Sequence, residues 1–427
     1  MQVQTPLTIK LSYTGWAAAD LYLATHSWLL LRSSSVDRNT AVKMAQQAIK
    51  TKNKRLVDAV LKIKAEREQN PQPVKPINEL PLIAVTCSTG WECYAIVEEL
   101  AKTRKYRVRA LYRTLLTQAA ARLDDLLEKT EVEHPGLLSL HSGADLTSAD
   151  KLTEAFKDCD GVVLYLTANE AVAGKITNHG NDPVNGRIAF MKQVTASLTA
   201  LKANPSVQQV ITLVFPSDKV TGFADNSPEI PWWMQQRLLF SDFLRDQGIN
   251  VTCIHRPAYY YAMHRVDYTN TTQQRGGTSM SKTMITEDNL SGINDPDVVI
   301  NWVDVRDVGK WVGTCFEYPE VFSNIDFSMA SCVMTGDEAV AIAVRTNKHG
   351  TTFKYKQFPL WVMKMLSIFT SEVVYPLRYA QWYGNDGNAY DFASNADLED
   401  LKKIHPVWTF EKKLESWGIT DIKPGQK

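Results

Sequence analysis

The sequence has no excess of charge of either sign, and its few cysteines form no pattern. Lysine plus arginine number 47 and aspartate plus glutamate also number 47 among the 427 residues. A chain without a net field does not attract nucleic acid as a whole, so we expect no nucleic-acid partner. The six cysteines include no CxxC pair. Their scatter argues against a disulfide framework and indicates reduced thiols in a reducing compartment.

Several catalytic patterns are also missing. The sequence contains no GxSxG elbow of a hydrolase and no GxxxxGK[ST] phosphate-binding loop,. His255 and His264 have no partners at metal-ligand spacing, so we expect no metal site. These absences remove the commonest nucleophilic and metal-assisted hydrolases from consideration.

Targeting segments are not evident either. The N-terminus lacks the basic region and long apolar run of a secretory signal,. The most apolar stretch, residues 11–31, has the length of a membrane span but is interrupted by Asp20 and His26,. This pattern favours a packed amphipathic helix over a span. We therefore expect a cytoplasmic protein, with an organellar location as the alternative.

What the sequence does contain is a strand, a tight turn, a helix and a second strand between Leu82 and Arg113. The apolar run LIAV leads into the turn at 86–90, and a helical pattern follows it. A second strand pattern ends at Tyr112. This order is typical of the first unit of a dinucleotide-binding fold.

The turn departs from the usual three-glycine pattern. Cys87 and Cys93 occupy the first and third glycine positions, and only Gly90 remains. The first glycine permits a tight turn, the second lets the backbone approach a pyrophosphate, and the third allows close packing of the helix. Because cysteine is small, we expect a distorted turn that still binds a dinucleotide, with a structural relic as the alternative. We expect glycine at either cysteine to be tolerated and to tighten binding.

From residue 80 onward, strand and helix patterns alternate. Such alternation predicts an α/β fold of Rossmann type, with a doubly wound parallel sheet, a smaller C-terminal lobe and an N-terminal helical extension. Ligands of these sheets bind at the carboxyl ends of the strands. The strand candidates are 81–87, 107–112, 137–141, 161–166, 208–215, 250–255 and 299–303, and the helix candidates are 91–103, 115–130, 148–158, 184–203 and 232–247.

Three regions follow from these patterns. We assign residues 1–78 to a separable helical extension and linker, 79–330 to the Rossmann-like core and 331–427 to the C-terminal lobe. The extension has a long helical pattern ending near Glu68, and one face of it is rich in lysine and arginine,. That face is either solvated or a docking surface for a protein partner or an anionic membrane. The proline-rich segment at 71–76 marks the linker.

The order and spacing of several motifs resemble the NmrA-like group of atypical short-chain dehydrogenases/reductases. No single motif is specific to this family, but the succession of motifs over about residues 80–427 is specific to it. The motifs are the Gly90 turn, Arg113, GADLT at 143–147, VVLYLT at 162–167, GINVTCIHRP at 248–257 and VDVRDVG at 303–309.

This resemblance implies a dinucleotide site and assigns residues to it. Arg113 matches a basic residue at the adenosine ribose, where arginine suits the 2′-phosphate of NADP and an acidic residue would suit NAD. The implied cofactor is therefore NADP, with NAD as the alternative. Asp304, Arg306 and Asp307 look functional, but the resemblance makes them a structural strand-to-helix junction. The implied cofactor-binding residues are Cys87, Thr89, Gly90, Trp91, Glu92, Arg113, Asp145, Leu146 and Thr167.

The catalytic pair of the wider superfamily is not visible. Its tyrosine, four residues before a lysine, acts as a proton donor. Trp233 and Arg237 occupy the corresponding positions, and tryptophan has no titratable proton. The weak substitutes are Tyr259, Tyr260 and His264, together with Tyr261, and aromatic packing is the simpler explanation for them.

Two functions of different classes remain, and a third is less favoured. The first is an NADP(H)-binding protein that is catalytically weak or inactive and acts as a redox-responsive regulatory or structural partner. The second is an NADPH-dependent reductase of a small aromatic or enone-like substrate. The third is an accessory subunit of a larger assembly, held through residues 1–78. What the cleft presents opposite the nicotinamide, a proton donor or only apolar groups, separates the first two.

Overall fold

The structure is a computed structural model of the 427-residue chain. The structure describes residues 38–71, 73–113, 119–167, 169–172, 175–178, 183–214, 232–259, 289–292, 295–357, 361, 365, 395–416 and 418–423. For some helix and strand residues at the ends of these ranges, only the backbone is described.

Seven of the described strands form one parallel sheet, and they are apolar and buried because helices cover both faces. Their order across the sheet is β12-β8-β7-β4-β1-β2-β3. The chain reverses its direction of progress between β1 and β4, and such a switch point opens a crevice at the carboxyl ends of the strands. The strands are β1 (Leu82–Val85), β2 (Arg107–Tyr112), β3 (Leu138–Ser142), β4 (Gly161–Leu164), β7 (Gln209–Val214), β8 (Val251–His255) and β12 (Asp326–Ser328).

The remaining described strands are short and lie outside this sheet. β11 pairs with β9 and β13, β10 pairs with β14, and β5 pairs with β6. The predicted strand at 299–303 is therefore a strand, but it belongs to a smaller sheet. The bounds are β5 (Asn169–Val172), β6 (Lys175–Asn178), β9 (Ala258–Tyr259), β10 (Asn289–Gly292), β11 (Ile300–Val303), β13 (Cys332–Met334) and β14 (Lys354–Gln357).

The described helices divide between the sheet's faces and the C-terminal lobe. α1, α2, α3 and α7 contribute to one apolar cluster, and α4, α5 and α6 contribute to the cluster on the other face. The bounds are α1 (Arg38–Gln69), α2 (Trp91–Thr103), α3 (Ala119–Glu133), α4 (Ala149–Ala155), α5 (Pro183–Ala203), α6 (Trp232–Asp246), α7 (Val305–Glu317), α8 (Pro319–Phe322), α9 (Gly336–Thr346), α10 (Asn395–Lys402) and α11 (Phe410–Ser416).

The predicted Rossmann-type α/β class is confirmed. The helices predicted at 91–103, 184–203 and 232–247 differ from the observed bounds by at most one residue. The apolar stretch at 11–31 lies outside the described residues. Within the part of the chain that the structure describes, no helix combines the length and apolar character needed to cross a membrane.

Helix α1 covers the open edge of the central sheet. β12 is the edge strand, and an uncovered edge presents unpaired backbone groups. The amide of Asn53 donates to the carbonyl of Ser328 on β12 at 2.9 Å. Val57 and Val60 are buried in the same cluster as β1 and α7. The division of the chain at residue 78 stays a prediction, but these contacts argue against a separable extension.

The C-terminal lobe is joined to the core at the start of α7. Asp304 caps this helix by accepting from the backbone of Arg306, and it also pairs with the guanidinium of Arg306 and with Lys413 of α11. Asp307 is buried, and its carboxylate accepts from the backbone of Trp408 at 2.9 Å. These contacts hold α11 and the segment before it against the start of α7, so Asp304 and Asp307 have structural partners at this strand-to-helix junction.

Replacing Val60 by alanine is expected to lower the free energy of unfolding by about 2 kcal/mol, because two buried carbons are lost and a cavity remains. The matched control is Val74→Ala, since Val74 in the linker is 99% exposed. Chemical unfolding of the full-length chain measures both variants. If a chain beginning at residue 79 melts at the wild-type temperature, α1 does not contribute to the stability of the core.

Asp304 is expected to stabilise the fold in a pH-dependent way. Burial alone would raise the pKa of Asp304, but the Arg306 hydrogen bond and the Lys413 charge outweigh burial and lower it from 3.8 to about 2. The stabilisation is therefore complete above about pH 4 and is lost as the pH falls towards 2. At 1.36 kcal/mol for each pH unit it amounts to roughly 2–3 kcal/mol.

The variant Asp304→Asn tests this dependence, because asparagine caps a helix as well as aspartate does. The difference in unfolding free energy from wild type should be largest at pH 5–7 and should shrink towards pH 2. Asp58→Asn, on the exposed side of α1, serves as the control. A difference that does not change with pH would contradict the assignment.

Candidate functional site

The turn between β1 and α2 is held by the buried side chain of Thr86. Its hydroxyl lies 3.2 Å from the carbonyls of Val163 and Tyr165 and accepts from the backbone of Tyr165 at 2.7 Å. The hydroxyl of Ser88 closes the turn by donating to Val85 at 2.7 Å. The ends of β1 and β4 are thereby fixed together at the switch point of the sheet.

Cys87 adopts the left-handed conformation that the missing glycine would have taken. Its φ is 54°, a value that is uncommon for residues other than glycine. The carbonyl of Cys87 accepts from the backbone of Gly90 at 2.8 Å, and a Cβ on Gly90 would stand 3.2 Å from that carbonyl. The turn is therefore formed with a cysteine at its strained position. Gly90 occupies the position where the two ends of the turn come closest together.

Cys93 occupies a different environment. It lies in the first turn of α2 and is buried in the apolar cluster of that face. Glycine here would remove a buried side chain and would cost a further ~0.3 kcal/mol in helix propensity. We therefore keep the expectation of a tolerated glycine for Cys87 and no longer for Cys93.

Helix α2 begins at the cleft without a side-chain cap. Gly90 is its N-cap residue and offers no side chain to the first amides of the helix. A helix N-terminus carries a partial positive charge and amide donors that lack intrahelical acceptors. Such an end is suited to bind a phosphate or another anion.

Glu92 stands at this helix end and forms a buried ion pair. Its carboxylate makes a bidentate contact with Arg256, which directly follows β8, and one of the two hydrogen bonds measures 2.8 Å. Both side chains are at least nine-tenths buried. The sequence analysis assigned Glu92 to the cofactor. In the structure its charge is neutralised by Arg256, so the helix end keeps its attraction for an anion.

The carboxyl ends of β1, β2 and β4 surround a cavity of about 340 Å³, within the usual size range of ligand pockets. Eight of the nine predicted cofactor-binding residues line it. The side chain of the ninth, Trp91, lies outside the described atoms. The eight lining residues are Cys87, Thr89, Gly90, Glu92, Arg113, Asp145, Leu146 and Thr167.

The far wall of the cavity is built from the end of β2 and the segment after β3. The backbone of Gly143 donates to the carbonyl of Arg113 at 3.1 Å, which sets these two segments side by side. Asp145 accepts from both the backbone and the hydroxyl of Thr147, at 3.0 and 2.8 Å. The Asp145 carboxylate therefore shapes the loop, while the half-buried Arg113 is the cationic side chain that lines the cavity.

Two further residues that hold the backbone of the cavity walls were not found from the sequence. The side chain of Gln193 on α5 accepts from the backbone of Thr167 at 3.1 Å. Arg122 on α3 donates to the carbonyl of Thr89 at 3.0 Å and lies over the ring of Tyr94. Burial lowers the pKa of Arg122, although arginine remains charged. A basic residue nine positions after Arg113 was the available signal for it.

The catalytic candidates fall largely outside what the structure describes. Tyr259 is placed as backbone in β9, and Tyr260, Tyr261 and His264 lie outside the described residues. The positions of the expected catalytic pair, 233 and 237, fall on α6 with only their backbone described. Their roles stay predictions.

The parallel sheet, its switch point and the helix-initiating turn define a Rossmann-type α/β protein. Within that class, the sequence model of the NmrA-like family matches residues 80–414. The chain belongs to the NmrA-like family. Comparison with curated protein sequences gives no match.

Solved structures of the same fold include regulators and reductases. NmrA, a negative transcriptional regulator solved with NADP, has a TM-score of 0.54 at 14% identity, covering 80% of this chain and 96% of its own. Isoflavone reductase has a TM-score of 0.55 at 16% identity, covering 79% and 99%. Triphenylmethane reductase from Citrobacter sp., solved with NADP(H), has a TM-score of 0.53 at 15% identity, covering 78% and 99%. Identities this low show a shared fold alone.

Because the backbone at Cys87 is strained, replacing this residue by glycine and by valine is expected to change the free energy of unfolding by different amounts. Cys87→Gly should stay within about 1 kcal/mol of wild type, because relief of the left-handed strain offsets the added chain entropy. Cys87→Val should lose roughly 1–3 kcal/mol, since a β-branched residue tolerates positive φ poorly. Urea unfolding measures both.

Cys332, in strand β13, gives the matched controls. Valine is favoured in a strand and glycine is not, so Cys332→Val and Cys332→Gly should show the opposite order of stability. The same order at both positions would mean that the strain at Cys87 has no energetic weight.

Proposed function

We propose that the cavity binds NADP(H), with the pyrophosphate at the N-terminus of α2. The observation that carries this proposal is the neutralised helix end. Gly90 has no side chain to keep a ligand from the backbone, and Arg256 cancels the charge of Glu92, which would repel a pyrophosphate at this helix end. Asp145 and Leu146 would then flank the adenine, and Thr167 would lie towards the nicotinamide half.

The preference for NADP over NAD rests on Arg113, which directly follows β2. Arg113 lines the cavity where the adenosine ribose would lie. Arg122 supports the turn by donating to the carbonyl of Thr89. A guanidinium matches the geometry of a phosphate through paired hydrogen bonds. This region therefore suits a 2′-phosphate, and NAD would be the weaker ligand.

The proposed role is regulatory or structural, with weak or absent catalysis. Trp233 and Arg237 stand where reductases of the superfamily have tyrosine and lysine, which removes the usual proton donor. A dinucleotide bound without turnover would make the protein responsive to the redox state of the nicotinamide pool. The partner would be a protein docking on the basic exposed face of α1, and the protein would act in the cytoplasm.

The alternative is an NADPH-dependent reductase of a small aromatic or enone-like substrate. Tyr259, Tyr260 and His264 would then supply the proton. Oxidation of NADPH against a panel of carbonyl and enone acceptors distinguishes this alternative from the regulatory role. An accessory subunit held through residues 1–78 is the third possibility retained from the sequence.

Replacing Arg113 by alanine is expected to weaken NADPH binding about tenfold or more and to leave NADH binding nearly unchanged. A hydrogen bond to a charged group contributes roughly 1.5–3 kcal/mol, and only NADPH offers the 2′-phosphate. Titration of both nucleotides, followed by protein fluorescence, measures the two dissociation constants. Lys129→Ala, an exposed lysine on α3, is the control for general charge effects.

Equal losses for the two nucleotides would sink the assignment of Arg113 to the 2′-phosphate while leaving dinucleotide binding intact. If the wild-type protein and the Cys87→Gly variant both fail to bind either nucleotide, the turn is a relic and the proposed function fails. The two failures are distinct, because the first concerns one phosphate and the second the whole cavity.

A further inference from the structure

Three potential metal ligands meet between strands β8 and β12. Cys253 and His255 lie two residues apart on β8, so their side chains share one face of the sheet. Asp326 on β12 is paired in register with Cys253. Their ligand atoms all lie within 4.8 Å of one another. The sequence analysis expected no metal site because His255 has no partners at a known metal-ligand spacing, and strand pairing supplies Asp326 from 71 positions away.

His255 is the unusual member of this group. Its side chain is 1% exposed, yet neither ring nitrogen has a hydrogen-bond partner among the described residues. The nearest carboxylate oxygen, on Asp326, is 3.9 Å from Nε2, beyond hydrogen-bond length. Buried polar groups are nearly always satisfied, so this imidazole has room for a ligand that the described residues do not provide.

The spacing suits a shared metal ion better than direct contacts. Zinc binds nitrogen and oxygen at about 2.0–2.2 Å and sulfur at about 2.3 Å, so neighbouring ligands of a tetrahedron stand roughly 3.3–3.8 Å apart. The 3.9 Å separation between Nε2 of His255 and Oδ2 of Asp326 is slightly longer than the roughly 3.3–3.6 Å of a nitrogen–oxygen pair in such a tetrahedron, so a small approach of the two side chains would accommodate the ion,. We propose that Cys253 Sγ, a ring nitrogen of His255 and Asp326 Oδ2 bind one Zn²⁺ ion.

Neighbouring side chains orient the proposed ligands, as they do in known metal sites. Arg245 on α6 donates to Asp326 Oδ1 at 2.7 Å, which leaves Oδ2 towards His255. Ser241 donates to the sulfur of Cys253 at 3.5 Å and shares a hydrogen bond with Thr212. A thiolate and a carboxylate would balance the two charges of zinc.

Asp326 is the solvent-facing member of the group. The side chain of Asp326 is 32% exposed, whereas Cys253 and His255 are buried. A water molecule on this side would complete four-coordination. The ion would fasten the edge strand β12 to β8, one residue before Arg256, and its role would be structural.

The test uses the full-length protein, freed of metals by a chelator, and Co²⁺ as a spectroscopic probe. One equivalent of Co²⁺ is expected to give the near-ultraviolet absorption of a cobalt–thiolate bond together with tetrahedral visible bands. Zn²⁺ should abolish these bands by displacement and should raise the melting temperature. No thiolate absorption in the wild-type protein would overturn the proposal and leave the group as a buried histidine–carboxylate pair.

Variants locate the site. Cys253→Ser should lose the thiolate absorption and weaken Zn²⁺ binding at least a hundredfold, whereas Ser241→Ala should weaken it about tenfold, as loss of an orienting contact does. Cys159→Ser is the control, because Cys159 is equally buried but lies outside this group. Circular dichroism verifies that each variant is folded. An unchanged Co²⁺ spectrum in folded Cys253→Ser, or its loss in Cys159→Ser, would refute the assignment.

Discussion

The buried ion pair between Glu92 and Arg256 is the interaction on which the cleft depends. A carboxylate in the first turn of a helix is favoured by the helix dipole, but here it also places a negative charge where an anionic ligand would lie. Arg256 removes that conflict with a bidentate contact. Losing one partner would leave an uncompensated buried charge, at a cost of about 3–5 kcal/mol. The two residues therefore act as one unit, although 164 positions separate them.

The same arginine joins the cleft to the rest of the sheet. The backbone of Arg256 donates to Val214 at the end of β7, at 3.0 Å. Its side chain turns towards α2, while that of His255, the preceding residue, belongs to the group with Asp326. Because successive side chains of a strand alternate between faces, one strand end supports both the nucleotide cleft and the proposed metal site.

Local patterns were sufficient to predict most of the fold. The bounds of β2 and α2 were predicted to the residue, because short apolar runs and helical periodicity are set by neighbours in the chain. The edge strand β12 was missed, since three residues of mixed polarity give no periodic signal. The cavity residues followed from the family resemblance, whose motifs lie at the ends of parallel strands. The sequence did not reveal the roles of Arg256, Arg122 and Asp326, because the partners of these residues lie between 33 and 164 positions away.

The covering of the sheet edge by α1 has a consequence for how the protein is made. Asn53 and the carbonyl it contacts on Ser328 are 275 residues apart. At about 5–20 residues per second, synthesis of that interval takes roughly 14–55 s. During this interval the helix has left the ribosome with its apolar stripe uncovered. The edge of β8 lacks its neighbouring strand for a shorter time, because only 71 positions separate His255 from Asp326. A nascent chain of this protein therefore exposes the apolar stripe of α1 for more than half of its synthesis, and it exposes the helix and the strand edge together only near the end of that interval.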